Sequence, residues 1–180
     1  MRIDAALCTL RPWREDDAGP LAHLANNREI ARNLTDRFPH PYTFVHAKSW
    51  VAQRHDPIFR ERAFAIEYQG ELAGGIGYSP QSGIHIYAAH VGYWVGEPLW
   101  GRGIATAALR AFTPHIFATS QLRRLESRVY AWNPASVRVL EKAGFTFEGR
   151  LRHAVWRLGE FSDLLIYGLL REEATASPAP

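Results

Sequence analysis

The feature that most limits what this chain can become is the run Gly96-Glu-Pro-Leu-Trp-Gly-Arg-Gly-Ile-Ala105. It separates a Tyr-, Val- and Trp-rich segment, His85 to Val95, from a helical pattern through Ala107, Ala108, Leu109, Phe112 and Ile116. The order is therefore strand, glycine loop, helix. Small residues at 101, 103 and 105 let the backbone turn sharply and leave successive N–H groups exposed at the start of the helix, an arrangement that suits a pyrophosphate. The helix dipole adds roughly 0.3 to 1 kcal/mol per favourable charge, and Arg102 offers a direct phosphate contact. A plain glycine-rich turn is the other reading of these residues taken alone. A P-loop would continue Gly-Lys-Ser/Thr, but here Ile104-Ala-Thr106 follows, so ATP hydrolysis falls. A dinucleotide fold would want its glycine turn near the first strand, followed by βαβ units. This loop lies past mid-chain, after a sheet connected mostly by hairpins.

At 180 residues and 47% hydrophobic, the chain has enough material for one sizeable core and too little for two ordinary domains. A single domain is expected over residues 1–172, with a small-residue and proline tail over 173–180. No apolar run approaches the roughly 18 residues of a membrane span and no basic-then-apolar leader begins the chain, so a cytoplasmic protein without membrane partners is expected. The net charge of +3 arises from 21 basic and 18 acidic residues mixed along the sequence; this suits an anionic cofactor and argues against a nucleic-acid partner. Cys8 is the only cysteine, which removes an intrachain disulfide or thiolate cluster. The eight histidines form no HExxH or H-x3-H pattern, and no metal is expected.

Other elements follow from period and punctuation. Thr9 to Trp13 reads as a strand, Asp16 to Arg32 as a helix, Phe38 to Tyr42 as a loop held by two prolines, and Val45 to Arg54 as a short amphipathic helix. Ala63 to Tyr68 and Leu72 to Tyr78 flank Gln69-Gly-Glu71 as a β-hairpin. Pro114 is expected to kink or shorten the helix after the loop. Leu125 to Tyr130 reads as a strand, and Asn133-Pro134 opens a helix that ends at Gly144. Two short strands, Phe145 to Glu148 and Leu164 to Leu169, close the pattern, and no internal repeat is present.

The segment Val91-Gly-Tyr-Trp-Val-Gly-Glu-Pro-Leu-Trp-Gly-Arg-Gly-Ile-Ala-Thr106 resembles the acetyl-CoA motif of GNAT acetyltransferases, in the wording of their RimJ/RimL-like branch. Asn133-Pro-Ala-Ser-Val-Arg-Val-Leu-Glu-Lys-Ala-Gly-Phe145 resembles that branch's second signature, and Phe147-Glu-Gly149, Asp163 and Tyr167 resemble its C-terminal pattern. The resemblance implies an α+β fold: a mixed, mostly antiparallel sheet flanked by helices, whose fourth and fifth strands, here His90 to Val95 and Leu125 to Tyr130, splay apart around a pantetheine arm. It implies that backbone groups of Tyr93, Trp94 and Val95 pair with pantetheine. Trp100, Gly101, Arg102, Gly103, Ile104, Ala105 and Thr106 would build the diphosphate cradle, with Asn133 and Ser136 also touching the cofactor. The partners so implied are acetyl-CoA and an amine acceptor, either a protein N-terminus or a small amine. A homodimer is left open.

Acetyl transfer needs a neutral amine and a proton for the departing thiolate. An α-amino group is already neutral in roughly a tenth of molecules at pH 7, against about one in 2,500 for lysine, so an N-terminal acceptor needs no strong base. The resemblance puts Ser136 in the role of acid; its other reading is an ordinary first-turn serine. Asn133 is equally a helix cap. For the base, Val155 stands where some relatives carry glutamate, which leaves Glu97 and His90 as candidates beside a water chain. Glu97 also reads as a solvated loop carboxylate, and His90 as a packed strand histidine. Ala107 departs from the glutamate frequent in the branch. Trp13, Phe38, Tyr42, Trp50, Trp94, Trp100 and Trp132 are core or the wall of an acceptor cleft, and the Asn33 to Tyr42 loop falls where this family shapes that site. A small-amine enzyme and a silent acyl-CoA-binding protein are the rival functions.

Overall fold

A computed structural model describes residues 1–176. Its strands are β1 (Ile3–Asp4), β2 (Thr9–Arg11), β3 (Ala63–Tyr68), β4 (Glu71–Pro80), β5 (Ala88–Val95), β6 (Arg124–Tyr130), β7 (Thr146–Arg157) and β8 (Glu160–Leu170). Its helices are α1 (Ala18–Ala25), α2 (Arg28–Arg32), α3 (Phe44–Arg54), α4 (Pro57–Arg60), α5 (Ile104–Thr119), α6 (Pro134–Lys142) and α7 (Arg171–Ala176). The strands make a mixed, mostly antiparallel sheet of the kind expected. The backbone contacts divide the chain into two units, one formed by Met1–Gly77 with Tyr93–Ala108, the other by Tyr78–Gly92 with the chain from Leu109 onward.

In the first unit β1, β2, β3 and β4 pair antiparallel in chain order. The β3–β4 turn has Gln69 and Gly70 both at positive φ, 53° and 86°, as a tight hairpin of right-handed strands demands. α1 and α3 cover this sheet with a core built on Trp13, Leu21, Tyr42, Val51, Ala65 and Leu72. Beneath them Arg11 is buried and forked onto Asp17 at 2.7 Å through both terminal nitrogens, while its Nε donates to Glu67 at 2.5 Å. Burial makes such a charge costly unless every donor is met, and here the two carboxylates meet it.

The continuous helix expected over Asp16 to Arg32 is broken at Asn26–Asn27. The side-chain amides there compete with the helix ladder. Asn27 Oδ1 accepts the Glu29 and Ile30 amides at 2.9 and 3.1 Å, and Asn26 Oδ1 accepts the Tyr42 amide at 3.0 Å.

In the second unit β5 runs parallel to β6 for three residue pairs, Ala88↔Arg124, Ala89↔Leu125 and His90↔Glu126. These are the strands expected to part, and both continue beyond that ladder, to Val95 and Tyr130. β8 lies antiparallel to β6 and to β7. The strand expected from His85 begins at Ala88, because Gly83–His85 forms a 3-10 turn. Helix α5 runs through Pro114 to Thr119 rather than stopping there. Phe112 and Ile116 are fully buried, and their packing outweighs the single lost backbone bond. β7 and β8 are far longer than the short strands expected, with a bulge between Leu151 and Val155. Asp163 holds that bulge, accepting the His153 amide at 2.7 Å and Arg150 Nε at 2.5 Å. Of the expected tail, residues 173–176 fall in the helix Arg171–Ala176, and residues 177–180 lie outside the described residues.

Candidate functional site

The glycine loop lies wholly in the first unit. After β5 a 3-10 turn at Glu97–Leu99 leads to Trp100, whose indole Nε1 donates to Val95 O at 2.7 Å and folds the loop back onto the strand end. Gly101 and Gly103 then take φ of +77° and +79°, backbone that side chains with a Cβ avoid. Ile104 is buried and anchors the start of α5. Behind it Cys8 Sγ stands 3.9 Å from the Ile104 carbonyl, and burial, with Asp4, pushes that thiol up to about 11, so it stays protonated.

The loop's donors are the decisive observation. Among the described residues the backbone amides of Gly101, Arg102, Gly103, Ile104, Ala105 and Thr106 meet no acceptor; the first that does is Ala107, onto Gly103 O at 3.0 Å. An ordinary helix leaves its first four N–H groups unmet. Here Gly101 and Arg102, ahead of the cap position Gly103, extend that row through an exposed turn. Arg102 reaches only the Pro98 carbonyl, at 3.4 Å, and no carboxylate pairs with it among the described residues. Unmet amides, a helix N-terminus and an unpaired guanidinium fit a diphosphate. A diphosphate bound here would meet the residues the sequence singled out, Gly101 to Thr106.

Glu97 has a partner that its sequence context hides. Asn27 Nδ2 donates to Glu97 Oε2 at 2.5 Å, so the cap of α2 and the phosphate-side loop are fastened together. Tyr93, Trp94 and Val95 form the end of β5, half-buried, half-buried and buried in turn. The Val95 carbonyl is engaged by Trp100, which leaves it one lone pair for any other donor.

The second unit carries Asn133, Ser136 and His90. Asn133 caps α6, its Oδ1 accepting the Ser136 amide at 3.1 Å, and Pro134 fills the first turn. The cap uses the amide oxygen and leaves Nδ2. Ser136 is half-buried beside it. His90 Nδ1 lies 3.5 Å from Glu126 Oε1 without hydrogen-bond alignment. Glu126 in turn meets Arg128 at 2.9 Å and Arg124 at 3.3 Å, and Arg124 also pairs with Glu148. Burial, with Arg128 and Arg124 against Glu126, holds His90 below the usual histidine value, so at neutral pH it is an uncharged imidazole. Among the described residues no group of three His, Cys, Asp or Glu could hold a metal ion, and no helix is long and apolar enough to cross a membrane.

These shifts set a pH prediction. Below its ordinary value of 6.5 a free His90 binds a proton that the folded site disfavours, so stability falls as pH drops through that value. Glu148, lowered by Arg124, and Glu126, where the arginines outweigh burial, add losses of the same sign at more acidic pH. Urea midpoints should therefore decline from pH 7.5 to 5.5, and His90→Gln should flatten that part of the curve. A midpoint that rises on acidification contradicts the assignment.

Of the aromatic residues expected in the core or at an acceptor cleft, Trp13 and Tyr42 are buried in the core of the first unit, Phe38 and Trp94 pack against it, and Trp50 is exposed. Phe38 stacks on Tyr42 at 4.7 Å and meets Trp94 edge-on at 6.0 Å; Trp13 meets Trp50 edge-on at 6.5 Å. Trp132 packs on Tyr130 in the second unit. Val155 lies on β7 at the end of the bulge, paired with Ser162.

The mixed sheet and its unmet amide row fit a domain that binds a diphosphate-bearing cosubstrate. The acetyltransferase (GNAT) domain family matches residues 8–146, well over half of the chain, and the chain belongs to that family. It is 31% identical over 106 residues to the ribosomal-protein-serine acetyltransferase of Escherichia coli (strain K12), a match that spans 59% of this chain and only 59% of that relative. It is 26% identical over 156 residues to the spermidine N(1)-acetyltransferase of the same strain, covering 87% of this chain and 82% of the relative. A solved RimL structure, a ribosomal L7/L12 alpha-N-protein acetyltransferase in complex with coenzyme A, superposes with a TM-score of 0.83 at 25% identity, covering 94% of this chain and 98% of that one. The chain is an N-acetyltransferase with acetyl-CoA as its cosubstrate.

Proposed function

We propose that this enzyme moves an acetyl group from acetyl-CoA to the α-amine of a protein or peptide, by direct attack in a ternary complex. The observation that carries the donor half is the run of unmet amides from Gly101 to Thr106. The α-amine half is supported by the ribosomal-protein acetyltransferases among its relatives and by acid–base chemistry: such an amine is neutral often enough at pH 7 that a mild base suffices.

In this reading the acceptor nitrogen bonds to the acetyl carbon as the carbon–sulfur bond breaks. The amine proton passes to His90 directly or through water, since an uncharged imidazole accepts it, while Ser136 protonates the departing sulfur. Glu97 keeps a positioning role through Asn27. The match to a spermidine acetyltransferase over most of the chain favours a second reading, a small-amine acceptor.

Incubation with acetyl-CoA and a panel of peptides, N-terminally blocked lysine peptides and polyamines, read as free thiol release, separates the two. Turnover confined to peptides with a free α-amine is expected; turnover confined to blocked lysine peptides or spermidine overturns the proposal. Ser136→Ala should lower kcat by at least about tenfold and keep acetyl-CoA affinity within about a factor of three. An unchanged kcat removes Ser136 from the mechanism.

A further inference from the structure

A half-buried arginine in the first unit has no carboxylate to face. Arg54, near the end of α3, lays its guanidinium over the Trp50 ring at 3.9 Å and the Phe59 ring at 4.6 Å. Its Nε is buried without an acceptor, and its one side-chain bond is a long 3.4 Å contact to Gln53 Oε1. Among the described residues no acidic side chain pairs with it. By contrast Arg11, in the same unit, is met by two carboxylates. A desolvated cation left without an anion is costly, and a protein that keeps one gains when a ligand supplies the anion.

Its surroundings say which ligand. Trp50, beneath the guanidinium and itself exposed, meets Trp13, a core residue whose indole Nε1 is buried and unbonded. Trp13 and Trp94 both stand 3.0 Å from the Cβ position of Gly75, so the aromatic packing that begins under Arg54 continues to the strand end that precedes the phosphate loop. Phe38 packs on both Tyr42 and Trp94 in the same cluster. Burial drives the Tyr42 hydroxyl up to about 12, so it stays protonated in the core. The exposed part of this cluster, Trp50 and Phe59, carries the Arg54 charge between its rings and includes no carboxylate.

We propose that Arg54 receives a carboxylate carried by the acceptor close to its reactive amine, so that the enzyme selects acidic acceptors over neutral or polycationic ones. This rests on the amine-acetylating reading above and adds the charge of its substrate. Two sources share the chemistry, an Asp or Glu side chain near a peptide N-terminus and the α-carboxylate of a free amino acid.

The test measures kcat/KM for matched peptides with Asp, Asn or Lys at the second and third positions, and for free amino acids against their amides. An acidic preference of about tenfold or more over the neutral partner is expected, as for one charge-assisted contact. In Arg54→Met that ratio should collapse toward one, and Arg54→Lys should restore part of it; thermal melting checks that both variants fold. The wild-type series reads the idea without any variant. Equal kcat/KM across acidic, neutral and basic acceptors overturns it, as does a preference that survives in Arg54→Met. If no peptide turns over, the α-amine reading falls separately and the amino-acid arm decides: preference for the acid over its amide sustains Arg54's role, and indifference ends it.

Discussion

Gly74→Ala is expected to be the most damaging small substitution in this chain, costing at least about 3 kcal/mol of stability. A Cβ at that position would stand 2.1 Å from the Trp94 carbonyl oxygen and 2.9 Å from Val95 Cα. Both are backbone atoms, so no side chain can swing away. The strands would have to separate, and the Gly96 amide would lose the Ala73 carbonyl it now meets at 2.8 Å. For a domain of this size the melting temperature should drop by about 10 °C. Because the same contact fixes the end of β5 and hence the phosphate loop, acetyl-CoA affinity should fall with it. Gly92→Ala is the control: nothing lies within 4 Å of its Cβ position, so stability should move by no more than about 0.5 kcal/mol. Similar melting of the two variants would refute the packing of β4 against the end of β5.

The second large effect is on binding rather than on folding. In Gly101→Ala/Gly103→Ala both loop residues acquire a Cβ at φ near +78°, where an L-residue pays roughly 1 to 2 kcal/mol. Neither position is crowded; the nearest atom to a Gly103 Cβ is Leu7 Cδ2 at 3.7 Å. The strain is therefore relieved by rotation of the loop, which turns the amides of Gly101 to Ala105 away from their shared direction. Loss of two charge-assisted contacts lowers acetyl-CoA affinity on the order of a hundredfold or more, while the melting temperature falls far less than in Gly74→Ala. Wild-type affinity in this variant would mean that the diphosphate is held elsewhere.

The parts of this fold that could be read in advance are those whose physics is local. The hairpin around Gln69-Gly70, the cap of α6 at Asn133-Pro134 and the glycine turn before α5 each follow from a few adjacent residues and their allowed φ. The break between α1 and α2 was hidden because Asn26 and Asn27 take partners far along the chain, Tyr42 and Glu97. Glu97 accordingly looked like a free loop carboxylate. β7 is legible only over its first residues, expected at Phe145 to Glu148; beyond them nearly all of its residues are exposed, so no alternation of apolar and polar side chains marks it. Two of the C-terminal motif residues have structural partners: Glu148 on β7 pairs with Arg124, and Asp163 on β8 braces the bulge. Pro114 misled in the other direction, since the buried face of α5 carries the helix through it. Glu126 and Arg54 had no local signal. Their significance lies in what faces them, His90 in one case and no carboxylate in the other.

The central claim is that backbone amides around Arg102 grip a diphosphate. Calorimetric titration of the folded enzyme with coenzyme A and, separately, with pantetheine, which lacks the diphosphate, tests it most directly. Coenzyme A should bind at least about a hundredfold more tightly, as expected if several charge-assisted contacts are lost with the phosphates. Equal affinities, or no heat from coenzyme A with protein that melts cooperatively, would contradict it.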